Sequence, residues 1–322
     1  MNNLKKIGLS ALAGSLVSVS AQAAEVSVSG SASITMDRPW VQGATGNDFS
    51  MGDSLKFDMS GETDGGLGVA VYYEIDGGAL DDYDMTLSGD WGSLKFNGSG
   101  TSSAFGAVDD VTPNAYEEAW DILDTDGTAT SGSPMVIGGG GGTNMFIYTS
   151  PSYAGATLTV AYQNDGGAAA IADSYSDFAL AFSPEAFEGL TLGYAKSDNQ
   201  VAATADNDKT TYYVKYAVGG FTLGYQASEA DHDTTSSSQD SMAYGITYAV
   251  NDDLSIGYSY HELEPDSAAG SNASFDQEST GVSASYTMGG MTLAGAMNDT
   301  DNMRGVNSND FEAYEFNLSF AF

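Results

Sequence analysis

From Val26 to the last residue, Phe322, apolar and polar side chains alternate with a period of two in short stretches divided by turn-forming residues. The first stretch, "VSVSGSASITM", sets Val26, Val28, Ala32, Ile34 and Met36 against Ser27, Ser29, Ser31, Ser33 and Thr35. A helix repeats its faces about every 3.6 residues, so this pattern fits only an extended strand with one oily and one wet face. It recurs in "SLKFDMSG", "LGVAVYYEI", "TLTVAYQ", "LTLGYAK", "FTLGYQAS", "LSIGYSYH" and others, and last in "AYEFNLSFAF". There Tyr314, Phe316, Leu318, Phe320 and Phe322 form one row up to the final residue. A terminus normally frays into water, where such a row gains nothing, so this end reads as held in a sheet.

The connections come in two alternating kinds. Tight turns at "TDGGL", "GDWGS", "SPSYAG", "SPEAFEG", "VGGF", "VNDDL" and "MGGM" hold the Gly, Pro, Asn and Asp that hairpins need. Longer polar stretches cover 37–52, 77–82, 100–143, 165–173, 198–207, 231–238, 264–275 and 299–309. Seven short and eight long connections give sixteen strands, with both ends on the short-turn side. One strand, "NMFIYTS", is apolar without alternation and is placed by its position between the longest loop and "SPSYAG".

A soluble sandwich also alternates, but it has no reason to keep every turn at one end short. Lipid admits only helices and closed sheets, because each backbone N–H and C=O must find a partner there. The expectation is an all-β, transmembrane antiparallel barrel of sixteen strands. Residues 1–23 read as a leader: "MNNLKK" is basic, "IGLSALAGSLVSV" is a short apolar run, and Ala21-Gln22-Ala23 is a small-residue cleavage pattern. The exported barrel is then 24–322, in a Gram-negative outer membrane.

In that setting the chain resembles a known family. The terminal row ending in Phe322 resembles the signal read by the barrel-assembly machinery of Gram-negative outer membranes. "AEVSVSGSASITM", "MTLSGDWGSLKFNGSG" and "FIYTSPSYAGATLTVAYQN" are similar, in order and spacing, to the sixteen-stranded general porins of proteobacteria. The resemblance implies a homotrimer of water-filled pores that pass small hydrophilic solutes by diffusion, each narrowed by a long third loop folded into the barrel.

That loop, 100–143, contains "AFGAVDDVTPNAYEEAWDILDTDG". Asn114 with Glu117 three positions on is a capping-box pattern, and "AYEEAWDIL" has the spacing for two helical turns with Tyr116, Trp120 and Leu123 on one side. Trp120, Ile122 and Leu123 imply docking against a wall. Asp109, Asp110, Glu117, Glu118, Asp121, Asp124 and Asp126 give it acid without a single Lys or Arg. Three such acids roughly 8 Å from a passing ion contribute about 1.5 kcal/mol together, roughly a tenfold preference for cations before salt screening. Related porins oppose the acidic loop with arginines on the wall; this chain has few inward basic residues. Lys56 and Lys95 are the candidates for that wall, each equally readable as a partner for a neighbouring acid such as Asp58, with Lys209 and Lys215 on the tenth strand.

The whole chain has formal net charge −35 and only nine Lys plus Arg, which excludes a phosphate-tracking nucleic-acid surface. It has no Cys, hence no disulfide or thiolate metal site. No cofactor is expected, although Asp81-Asp82 and Asp109-Asp110 are oxygen clusters of the kind that hold Ca²⁺ or bridge lipopolysaccharide phosphates. His232 and His261 read as solvated side chains, and no Ser, His and carboxylate spacing supports catalysis. Two further readings remain: a channel selective for a cationic nutrient or a sugar, with Tyr116 and Trp120 stacking on the solute, and a structural barrel or adhesin.

Overall fold

The computed structural model describes residues 25–39, 49–121, 136–140, 142–164, 174–200, 206–232, 238–265 and 275–322. The leader, 1–23, lies outside them. The described residues form β1 (Glu25–Pro39), β2 (Phe49–Glu62), β3 (Gly68–Asp76), β4 (Ala79–Gly89), β5 (Gly92–Ser99) and β6 (Met145–Thr149). They continue as β7 (Ala156–Gln163), β8 (Tyr175–Phe182), β9 (Leu190–Gln200), β10 (Asp206–Val218) and β11 (Phe221–His232). The last five are β12 (Gln239–Ala249), β13 (Leu254–Pro265), β14 (Gln277–Met288), β15 (Met291–Asp301) and β16 (Phe311–Ala321). Each strand pairs with its sequence neighbours, and β1 pairs with β16, so the sheet closes into a sixteen-stranded barrel.

The closure is antiparallel, with Ser31 opposite Ala321 and Met36 opposite Phe316. Phe322 belongs to it: its N–H donates to the Gly30 carbonyl at 2.8 Å, and its carbonyl accepts from Gly30 N–H at 3.2 Å. The terminal side chains therefore sit in the wall, with Phe316, Phe320 and Phe322 exposed on the outer surface. On the other side of the same strand, Phe311 and Ala313 are buried. A closed ladder leaves no edge, which is the condition lipid imposes.

Two readings of the connections need correction. The stretch 77–82 is not a long loop: β3 and β4 are joined by Gly77-Gly78 alone. Both glycines have positive φ, 55° and 79°, the backbone a two-residue hairpin turn demands and that only Gly adopts without strain. Strands also run further than their alternation suggested, so that Met36 pairs with Phe49 inside the stretch 37–52. Polar side chains there hid ladder that backbone pairing extends.

The non-alternating β6 is short but paired on both sides, with β5 and β7. Its outward row is Phe146, half exposed, while Met145 and Ile147 point inward and are buried. They pack with Ala104 and Phe105 of the third loop. The strand is apolar on both faces because its inner face is covered by chain rather than water.

Candidate functional site: the third loop and the two walls it separates

The third loop joins β5 to β6 and is described over 100–121, 136–140 and 142–144. Ile122, Leu123, Asp124 and Asp126 lie outside the described residues. Its entry is pinned by β8: Asp177, 4 % exposed, accepts the N–H groups of Ala104 at 3.2 Å and Phe105 at 2.8 Å, and the Tyr175 hydroxyl at 2.8 Å. Phe105 is fully buried below this anchor, a burial that stabilises by about 2–3 kcal/mol. The loop then crosses one inner wall in sequence. Gln226 of β11 accepts Val111 N–H at 3.0 Å, Ser283 of β14 accepts Ala115 N–H at 3.1 Å, and Asn298 of β15 donates to the Glu118 carbonyl at 2.6 Å. Tyr116 donates its hydroxyl to Glu315 of β16. These partners all lie on the inward rows of their strands, so the loop runs inside the barrel.

The two helical turns expected in "AYEEAWDIL" are absent from its described part, 115–121, which is bends and one turn closed by Asp121 N–H to the Glu118 carbonyl at 3.3 Å. The wall takes the backbone groups a helix would need. Asn114 does not cap either; its side-chain amide donates to Glu118. The docking expectation holds for the aromatic residues described. Tyr116 packs beside Met303, Phe311 and Ala313, and Trp120, 7 % exposed, packs with Ala119 and Ala243. Trp120 also lies 4.7 Å, centroid to centroid, from His261. His261 is therefore corrected: it is 4 % exposed beneath Trp120, not solvated. His232 ends β11, and its side chain lies outside the described set.

The acidic residues gather on the free side of the loop. Asp110, Glu118 and Asp121 bring carboxylate oxygens within 4.8 Å of one another. Asp110 faces lumen water, yet lost hydration inside the barrel, then the charges of Asp121 and Asp109, push its carboxyl up to about 7. Burial first, then Asp121, raises both Glu117 and Glu118. Asp109 differs in role. It accepts the Gly139 N–H, tying the outgoing leg to the return leg, and burial raises its carboxyl against that bond and the nearby Lys209. Glu315 adds an acid the sequence reading missed; it stands opposite Asp37 where β16 meets β1. For Ca²⁺, the three carboxylate oxygens brought together supply at most half of the roughly six to eight donors that ion takes.

The wall across the lumen carries the two lysines. Lys56 Nζ lies 3.5 Å from Glu74, its direct cross-strand neighbour on β3, and Lys95 Nζ lies 2.9 Å from Asp84 on β4. Their partners are thus Glu74 and Asp84 rather than Asp58. Lys209 is on neither side: it donates to the Gly138 carbonyl and holds the return leg of the loop.

A model of the family described as Gram-negative porin matches residues 8–275. No curated protein matches. Among solved structures, a porin refined at 1.8 Å superposes with TM-score 0.67 at 19 % identity, covering 92 % of this chain and all of that one. An anion-selective porin from Comamonas acidovorans gives 0.67 at 13 % identity, over 93 % of this chain and 100 % of that one. OmpF of Salmonella typhi in complex with daunomycin gives 0.67 at 13 %, over 93 % and 98 %. At these identities the likeness is one of fold, and it includes a channel that prefers anions, so charge preference must come from side chains rather than from the barrel. With the family model spanning most of the sequence and the closed barrel observed, the chain belongs to the Gram-negative porins, diffusion channels of the outer membrane.

Proposed function

We propose that the barrel is a size-limited channel for small hydrophilic solutes and ions that favours cations, with Asp109, Asp110, Glu117, Glu118 and Asp121 as its filter. The observation that carries this is the asymmetry of charge: among the described residues the loop's acids have no basic neighbour except at Lys209, whereas Lys56 and Lys95 are each held by a carboxylate. A neutralised pair facing an acidic loop leaves a net negative field over the passage. The size of the effect remains that of a few screened charges, roughly tenfold at low salt. A solute-specific channel would need a stacking platform in the lumen; Trp120 and Tyr116 are instead engaged with the wall, which favours the unspecific reading. Removal of the 1–23 leader, assembly as a homotrimer, and contacts with lipopolysaccharide and with the barrel-assembly machinery through Phe322 complete the proposal.

The test is the permeability ratio in planar bilayers of the Asp109→Asn, Asp110→Asn, Glu117→Gln, Glu118→Gln variant. A fall of the cation/anion ratio toward one is expected. An unchanged ratio in a conducting variant removes these residues as the filter.

A further inference from the structure

Four neighbouring strands each place one glycine, alone, on the inward row near mid-strand: Gly224 in β11, Gly245 in β12, Gly257 in β13 and Gly281 in β14. None has the positive φ that requires glycine, so their reason is space. A methyl carbon at Gly224 would lie 2.4 Å from Pro113 Cδ, and one at Gly245 would lie 2.4 Å from the Pro113 carbonyl oxygen. At Gly257 it would meet Ala115 N at 2.8 Å, and at Gly281 it would meet Ala119 Cα at 2.9 Å as well as Asn298 Oδ1 of the adjacent strand at 2.6 Å. Each glycine thus faces a backbone or ring atom of the third loop, taken in order along both the loop and the wall, and at Gly281 the loop shares the space with the Asn298 side chain that holds it. Gly193 in β9 shows the contrast: it is roofed by the Tyr213 ring, a side chain of the adjacent strand.

We infer that these four glycines form a track that sets how far the third loop stands from the wall, and so determine the width of the pore and the position of its acidic filter. The inference rests on the reading of the loop as the channel's constriction. Isolated glycines inside strands mark close backbone approach, and here the approaching backbone is the loop itself. When a side chain is added, the loop must yield rather than the wall. Each track glycine is held in the ladder by strands on both sides. The segment 111–119 is held by four hydrogen bonds with wall side chains, those of Gln226, Ser283, Asn298 and Glu315. Relieving a 2.4 Å contact to ordinary van der Waals distance moves the loop about 1 Å into the lumen.

The experiment is single-channel conductance and the size cut-off for neutral sugars in the full-length channel. Gly224→Ala and Gly245→Ala are expected to lose conductance and to exclude smaller sugars than the unaltered protein. Gly30→Ala, on the outward row of β1 where a methyl carbon would meet Ser54 O at 3.2 Å and Leu55 Cδ1 at 3.8 Å and no atom of the third loop, is expected to change neither. Adding Pro113→Ala removes the ring carbon that faces Gly224, so it should restore conductance to Gly224→Ala but not to Gly245→Ala, whose clash is with a backbone oxygen. Unchanged conductance in Gly224→Ala, or equal loss with and without Pro113→Ala, overturns the inference. So does failure of both Gly224 variants to assemble, which would mean that the wall yields. A channel that narrows as expected while the neutralised acidic variant keeps its permeability ratio would retain the track and sink the filter.

Discussion

The barrel has two inner walls of different character. The wall from β8 to β16 is covered by the third loop, and its side chains serve that loop: Asp177 and Gln226 receive its N–H groups, Asn298 holds a carbonyl, and four glycines give it room. The wall of β2 to β5 meets the lumen without such a cover except at Asn97, whose amide donates to the Thr101 and Gly142 carbonyls, and its lysines are each matched by an acid, Lys56 with Glu74 and Lys95 with Asp84. The first wall is built like a protein core, with polar groups satisfied one by one. The second is built more like a surface, with ion pairs whose lysines reach water over largely covered carboxylates. The lesson is that position on the same sheet does not fix the value of a polar residue; whether chain or water lies above it does.

The comparison breaks first at Asp177. Asp177→Ala leaves two loop N–H groups without acceptors in a buried place, at a cost of about 3 kcal/mol. It should lower the melting temperature in detergent and add noise to the open channel; a variant as stable and quiet as the parent would deny the core-like character of that wall. Next comes the neutralised acidic variant, with its roughly tenfold ceiling on the permeability ratio.

A smaller effect comes from pH. Asp110 gains its protons near pH 7, and the raised Glu117 and Glu118 shift the same way. These acids bind protons more tightly in the folded loop than in an unfolded chain. Their contribution to stability is therefore best when protonated and declines as pH rises from the usual carboxylate range, through about 7 for Asp110 and Glu117 and up to about 10 for Glu118. Cation preference moves oppositely, falling roughly two- to threefold between pH 8 and pH 5. Reversal potentials across that range check it, and a ratio flat until pH 4 would show ordinary carboxylates. The smallest effect belongs to the open wall. Lys95→Met frees Asp84 and should raise the cation ratio less than about twofold, with under about 1 kcal/mol lost from a pair whose lysine is a third exposed. A large fall in anion flow would instead reveal a working positive wall.

Much of the barrel was legible because lipid and a closed ladder both write period-two patterns into sequence. The closing role of "AYEFNLSFAF", the docking of Trp120 and all but one of the sixteen strands are legible in residue types alone; the sixth, "NMFIYTS", is legible only from its place between a loop and a turn. The turn at Gly77-Gly78 was misjudged because acidic residues beyond it, Asp81 and Asp82, belong to a strand whose pairing, not polarity, defines it. The helix in the loop and the exposure of His261 were misjudged for one shared reason. Local propensity describes a segment in water, whereas 111–121 lies on a wall that claims its backbone and covers the histidine. Glu315 carries no signal of its own, because it alternates with the apolar row of its strand as any inward residue does. The glycine track did leave a signal: "LGY", "YGI", "IGY" and "TGV" repeat an isolated glycine on consecutive strands, each where another backbone comes close.

The most direct measurement is the zero-current potential of the unaltered channel in a planar bilayer under a potassium chloride gradient at neutral pH. An acidic loop facing a neutralised wall predicts that the dilute side becomes positive, as potassium crosses more readily than chloride. A potential of zero or of opposite sign would contradict it.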